Sequence, residues 1–146
     1  MAQTGQRVDP YADYNFLVEI DGITQAGFSD VSGFDTAVEV HEYREGSDPT
    51  TTRKLPGMTR YSNITLRRGL TADRSLYDWM LDTAHGNVTR KNGSILVLDA
   101  MGNEVVRWNF RNAWPTRWQG PELSAKSNDV AIESLELAHE GLERAR

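Results

Sequence analysis

In EVVRWNFRNAW, residues 104 to 114, Val106, Trp108 and Phe110 alternate with Arg107, Asn109 and Arg111. A period of two is the spacing of side chains on opposite faces of a strand, so this stretch belongs in a sheet with one buried face. Trp114 continues the apolar phase, and Pro115, which cannot donate to a ladder, is expected to end it. The same alternation runs through YNFLVEIDG, where Tyr14, Phe16, Val18 and Ile20 share a face, and through VEVHEY at 38 to 43. It returns in YSNITLRRG, with Ile64 and Leu66 on one side. SILVLDA has a continuous apolar core and is expected to be buried on both faces. Asp21-Gly22 and Asn92-Gly93 are tight-turn signals, and the two glycines of GFSDVSGFDT predict a bend or bulge.

One helix interrupts the strands. In TADRSLYDWMLDTAHG, about 72–85, Leu76, Trp79, Met80, Thr83 and Ala84 follow helical spacing, with Thr71 as N-cap and Gly86 as the stop. The last segment, NDVAIESLELAHEGLER, reads both ways. Ala131, Leu135, Ala138 and Leu142 suit a helix, and periodicity alone leans that way. As a strand, Val130 and Ile132 oppose Leu135 and Leu137, and a bulge near Glu133-Ser134 would reconcile them. Residues 1–13 read as a flexible arm. Residues 44–60, with Gly46, Pro49, Pro56 and Gly57, read as a long extended loop, a length that inside a compact domain is usually functional or disordered. The whole chain, 1–146, is expected to be one mainly β domain, an antiparallel β-sandwich or barrel-like fold with one flanking α-helix.

Composition narrows the function. A formal charge of −5 argues against stable nucleic-acid binding, which needs a basic face. No apolar run is long enough for a membrane anchor, and the first residues lack a secretory h-region, so synthesis in the cytoplasm is expected. There is no cysteine, which removes thiolate metal sites. His139-Glu140 starts like a zinc helix, but position 143 is Glu, so no metal is expected. Nucleotide loops and hydrolase elbows are missing from the sequence, so no catalytic residue, no cofactor and no enzyme activity is expected.

Two features point to self-association. Three of the four tryptophans lie within residues 107 to 118, each near an arginine, and Trp with Arg is the chemistry of interface centres. Trp108 and Phe110 suit a core, whereas Trp114 and Trp118 lie beyond the alternating part. Residues 104 to 114 also read as a long strand edge that lysines do not screen. Identical neighbours that pair such edges around an axis close a ring.

The blocks DPYADYNFLVEIDGITQAGFSDVSG, EYREG, RKLPGMTRYSNITLRRG, LYDW, RKNGSILVLD, GNEVVRWNFRNAWPTRWQGPEL and VAIESLELAHEGLER resemble, in this order, tail tube proteins of contractile phages and of extracellular contractile injection systems. The likeness covers about residues 9 to 144. It implies a structural subunit whose strands join those of its neighbours into a ring β-barrel. Six copies form a ring, and stacked rings form a hollow tube that a sheath drives through the target envelope. It also implies that the last segment is a strand, the reading adopted here for 128–139. The implied partners are further copies of the chain, the sheath protein, baseplate or tube-initiator and tail-terminator proteins, and a tape-measure protein or cargo in the lumen.

On this reading 44–60 reaches the next ring through Arg44, Glu45, Asp48, Arg53, Lys54 and Arg60, with Leu55 and Pro56 as the apolar contact. Arg107, Asn109 and Arg111, with Trp114 and Trp118, face the lumen or the adjacent protomer. A baseplate-proximal initiator is the alternative within the family. A monomeric ligand-binding or nucleic-acid-binding β-barrel is the alternative of a different class.

Overall fold

The computed structural model describes residues 15–21, 27–44, 46–47 and 50–146. The arm at 1–13, Tyr14, the Asp21-Gly22 turn, Glu45 and Asp48 therefore lie wholly or partly outside the described residues. In chain order the elements are β1 (Phe16–Ile20), β2 (Asp30–Ser32), β3 (Thr36–Tyr43), β4 (Arg53–Tyr61), β5 (Ile64–Gly69), α1 (Ser75–Ala84), β6 (Lys91–Leu98), β7 (Glu104–Gln119), β8 (Ile132–Ala138) and β9 (Gly141–Arg144). All pairings are antiparallel. The main sheet runs β1-β6-β7-β8-β5-β2 with β9 also on β7, while β3 and β4 form a hairpin of their own.

β7 organises the fold because it serves two layers. Its first half pairs with β6 on one side and β9 on the other, and its second half pairs with β8. Val106 and Phe110 are buried and Trp108 half-buried, as the alternation predicts. The phase then breaks: Asn112 has φ 53°, the register against β6 slips, and Ala113 and Pro115 are the buried residues beyond it. Trp114 is thereby turned out of the phase that the sequence assigned it. Pro115 does not end the strand. It sits buried opposite Leu137, and a second slip at Thr116 returns Trp118 to the core side.

The expected edge is also corrected. Residues 108 to 111 are covered on their free side by β9, an element that the sequence reading missed because Gly141–Arg144 is too short to show a period. Among the described residues, the open margins are β1, β2, the outer side of β9, the outer side of β7 beyond Asn112, and the β3–β4 hairpin.

One core joins both layers: Val18 and Ile20 from β1, Ile95 from β6, Phe110 and Ala113 from β7, Ile64 and Leu66 from β5, and Leu135 and Leu137 from β8. Ile95 and Leu96 are both buried, which accounts for the unbroken apolar run of β6. β8 is a strand, as the resemblance implied, but without a bulge: its register against β5 is continuous from Ile64↔Leu137 to Gly69↔Ile132. Glu133 takes the inward position and Ile132 is exposed.

The helix closes the core with Leu76 and Trp79, whose indole N–H donates to the Thr89 carbonyl at 2.8 Å. It is shorter than expected, and Thr71 is not its cap. The Asp73 carboxylate accepts from the Ser75 amide and hydroxyl, at 3.0 and 2.8 Å, while Thr71 accepts from the Asp73 amide. Gly86 follows the helix with φ 88°, as expected of its stop.

Residues 53 to 60 are likewise strand, not loop. Pro56 is accommodated because β4 belongs to a two-stranded hairpin with an open side, and a register slip lies beside it. β2 with β5, and β3 with β4, make one ribbon. The pairing runs without slip from Asp30↔Arg67 to Val38↔Thr59 across the interruption at residues 33–35. Gly33, at φ 91°, makes that joint: a Cβ there would lie 2.1 Å from the Asn63 carbonyl oxygen.

Candidate assembly surfaces

Three surfaces present polar or apolar groups that the core does not use. The first is the outer face of β1, β6, β7 and β9. Arg107 leaves β7 toward Glu104, with which it pairs closely, donates to Ser94 Oγ at 3.0 Å and lies 3.8 Å from Glu19. Ser94 Oγ in turn donates to Asn109 Oδ1 at 2.7 Å. The Arg111 guanidinium lies over Gly141, where a Cβ would approach it to 2.5 Å. A cavity of about 440 Å³ opens between these groups and Glu143. The structure thus brings Arg107, Asn109 and Arg111 together on one ion-paired face.

It does not bring Trp114 and Trp118 to that face. Trp114 lies past the phase break, opposite Ala138 in the second layer. Trp118 packs against the core, donates to Glu133 Oε2 at 3.1 Å and meets the Tyr77 ring edge-on at 5.0 Å. The crowding of tryptophans at 107 to 118 therefore serves both layers as well as any interface.

The second surface is the hairpin. Arg44 is exposed beyond β3, and Arg53, Lys54, Leu55, Pro56 and Arg60 are all exposed on β4. The register divides them. Lys54 and Pro56 stand opposite Glu42 and Val40, on the face that also carries Val38 and Thr59. Arg53, Leu55 and Arg60 stand opposite Tyr43, His41 and Ala37 on the other face, where Arg60 pairs with Glu39 and the His41 ring lies over Gly57.

The third surface is the outer face of the second layer, which the sequence reading did not single out. Asp30 and Ser32 of β2, Thr65 and Arg67 of β5, Ser134 and Glu136 of β8, and Arg117 of β7 lie on it by register. Its inner side hides an ion pair. Arg68 and Glu133 are direct cross-strand partners, both buried, with Nε donating to Oε1 at 2.7 Å. The parity was visible in the sequence: Arg68 shares a phase with Ile64 and Leu66, and Glu133 with Leu135 and Leu137. Asp73 also receives Arg68, at 3.3 Å through a carboxylate oxygen and 3.0 Å through its carbonyl. The Ser75 amide is the main cause holding the Asp73 carboxyl below its ordinary value. No group of histidines and carboxylates placed to hold a metal ion occurs among the described residues, and no helix is long and apolar enough to cross a membrane.

A two-layer antiparallel domain with open sheet margins and a ribbon projecting from its body is the build of a subunit that associates through its strands. The family described as T4-like virus tail tube protein gp19 matches residues 12–143, and the chain belongs to this family. Among solved structures it is similar to a chain of the PVC extracellular contractile injection system sheath-tube complex in the extended state. That match has 31% identity and a TM-score of 0.84, covering 92% of this chain and 90% of the other. A chain of the PVC sheath/tube terminator, also in the extended state, matches at 30% identity and TM-score 0.86, with coverage of 95% and 99%. Hcp1 from Flavobacterium johnsoniae shares the fold at 19% identity and TM-score 0.64, covering 90% and 95%. No curated protein matches the sequence. The chain is a structural tail tube protein of the contractile-injection type.

Proposed function

We propose that six copies of this chain close a ring and that rings stack into the hollow inner tube of a contractile particle. A sheath surrounds this tube and drives it through the target envelope, and DNA or protein cargo passes along the lumen. The role is structural, not catalytic, and the assembled particle works outside the cell that made it. Baseplate and terminator proteins would cap the two ends of the tube.

The observation that carries this reading is the second layer. Its inner face is apolar apart from the Arg68–Glu133 pair, and its outer face is Asp30, Ser32, Thr65, Arg67, Ser134, Glu136 and Arg117. Its two margins, β2 and the end of β7, lack a strand partner on their outer sides among the described residues. Lateral pairing between copies would remove those edges, which only closure achieves fully. The closed sheet would turn its polar face to the channel. Asp30 and Glu136 oppose Arg67 and Arg117 there, so the wall has no strong charge of either sign to retain cargo. Arg107, Asn109 and Arg111, on the other layer, would then face outward to the sheath or the adjacent protomer. The hairpin, with Arg44, Glu45, Asp48, Arg53, Lys54, Leu55, Pro56 and Arg60, would reach the next ring.

Negative-stain microscopy of the purified protein, with and without preformed tube ends as a template, tests the proposal. Hollow rings or tubes are expected. A monodisperse monomer under both conditions would refute it and favour a self-contained ligand-binding β domain.

A further inference from the structure

We propose that the valine-proline face of the hairpin in one copy is seated in an aromatic groove at the base of the ribbon in a second copy, one ring along. The inference rests on the tube reading and names the surface that receives the hairpin.

A two-stranded hairpin is at best marginally stable alone. This one exposes Val38, Val40, Tyr43, Leu55 and Met58, with Val40 62% and Met58 68% accessible. One of its faces is occupied internally, by the Glu39–Arg60 pair and by His41 over Gly57. The other, with Val38, Val40 and Pro56 in register, is a short apolar stripe that ends in Glu42 and Lys54.

The groove has complementary chemistry. Phe16, Phe28, Val31, Phe34, Val97 and Trp108 line about 660 Å³, within the size range of pockets that hold apolar ligand groups. Phe34 and Trp108, 5.2 Å apart between ring centres, both line it. Asp30 stands at its rim, able to meet Lys54 at the end of the stripe. Stripe and groove belong to the same ribbon: Val31 and Phe34 sit at its base, and the stripe lies on the projecting part. Val38 and Val40 lie four and six residues beyond Phe34, about 13–20 Å along an extended chain, so within one molecule the ribbon holds the two patches apart. Repetition along the ribbon direction covers both. Such a contact, between different patches of identical chains, does not close and so builds a stack.

The chain lacks cysteine, so introduced cysteines report without background. Tubes of the Val40→Cys, Val97→Cys double variant should give, on oxidation, a ladder of covalent multimers that a reductant dissolves. Either single variant should give no ladder. Val40→Asp should raise the concentration needed for tubes on the order of tenfold while leaving the melting temperature of the dissociated subunit unchanged. Hollow tubes without the ladder would overturn the seating and leave the tube reading intact. So would an intrachain bridge between Tyr11→Cys and Val97→Cys in place of the ladder, which would make the chain's own N-terminal residues the occupant. Absence of both assembly and crosslinks would remove the tube reading as well.

Discussion

Replacing Glu133 by Ala should be among the most damaging single changes in this domain, although the residue is charged and sits on no proposed contact surface. Arg68 is 2% exposed and Glu133 6%, and they face each other across β5 and β8 at 2.7 Å. Removing one partner of a buried pair leaves an uncompensated charge, at a cost of about 3–5 kcal/mol. Trp118 loses its acceptor in the same change, but the groups form one network and their costs do not add. Asp73 offers Arg68 limited relief, because it is itself 40% exposed and 3.3 Å away. Against a total of about 5–15 kcal/mol for an ordinary domain, the change removes a large share.

Glu133→Gln keeps the shape but has one acceptor oxygen, so it can serve Arg68 or the Trp118 indole and not both, and it should fall between Ala and the native residue. The decisive comparison is Arg68→Met with Glu133→Leu, which removes both charges and refills the volume. Such exchanges are neutral or stabilising by about 1–4 kcal/mol, so the double variant should exceed Glu133→Ala by at least about 3 kcal/mol. Urea unfolding of the dissociated subunit, followed by tryptophan fluorescence, measures this. With a slope of about 2 kcal/mol per M, Glu133→Ala should lower the midpoint by about 2 M. A drop of less than about 0.5 M, at that slope, would refute the argument. So would a double variant as weak as Glu133→Ala, since the loss would then come from packing and not from stranded charge.

Other consequences can be measured separately. Gly33→Ala combines a disfavoured φ with a Cβ 2.1 Å from the Asn63 carbonyl oxygen, so the subunit should lose about 1–3 kcal/mol by urea titration and assemble poorly even where it stays folded. Deleting residues 47 to 58 should leave the subunit's melting temperature almost unchanged, because the hairpin contributes nothing to the buried core, yet abolish stacked tubes under the microscope. Asp73→Asn should flatten the acid limb of stability. The Asp73 pKa is lowered in the folded state, so its contribution is complete above the ordinary value of 3.8 and fades as pH falls through the folded pKa. Melting curves at about pH 5 and pH 3 should therefore separate native from variant more at the higher pH.

Much of the fold was legible because its strands are half-buried and alternate. Val18, Ile64, Leu66, Val106 and Phe110 are inside as the period of two requires. What escaped the pattern was where the period breaks and who pairs with whom. A slip at Asn112 or Thr116 has no composition signal, since each needs only one residue to change phase. Alternation marks a strand but not its neighbours, so β7 read as an edge although β9 covers it. The bulge expected near Glu133 came from asking Val130 and Ile132 to share the inward phase of Leu135 and Leu137, whereas both are exposed. Pairing β8 with β5 puts Arg68 directly opposite Glu133 and removes the need for a bulge. The hairpin looked irregular for a similar reason: Val40 and Pro56 stand opposite each other on an exposed two-stranded pair, with no core beneath them to impose a period.

The breaks in β7 also bear on how one small domain can serve two environments. An unbroken 16-residue strand would keep the inward phase of Val106 and Phe110 to its end, pointing Asn112 and Thr116 into the core and Ala113 and Pro115 out of it. By switching phase at Asn112, the strand contributes Phe110 to the core from one layer and Ala113 and Pro115 from the other. Two layers around a shared core have outward faces that point in opposite directions. Arg107, Asn109 and Arg111 therefore end on one side of the domain, and Arg67, Glu136 and Arg117 on the other. The first set is held by Glu104, Ser94 and Glu19, which fixes its geometry, as a contact surface for a partner requires. The second alternates in sign across adjacent strands, which suits a wall that molecules must pass without adhering. The proposed tube assembly would use both, and the two phase switches of β7, at Asn112 and at Thr116, separate them.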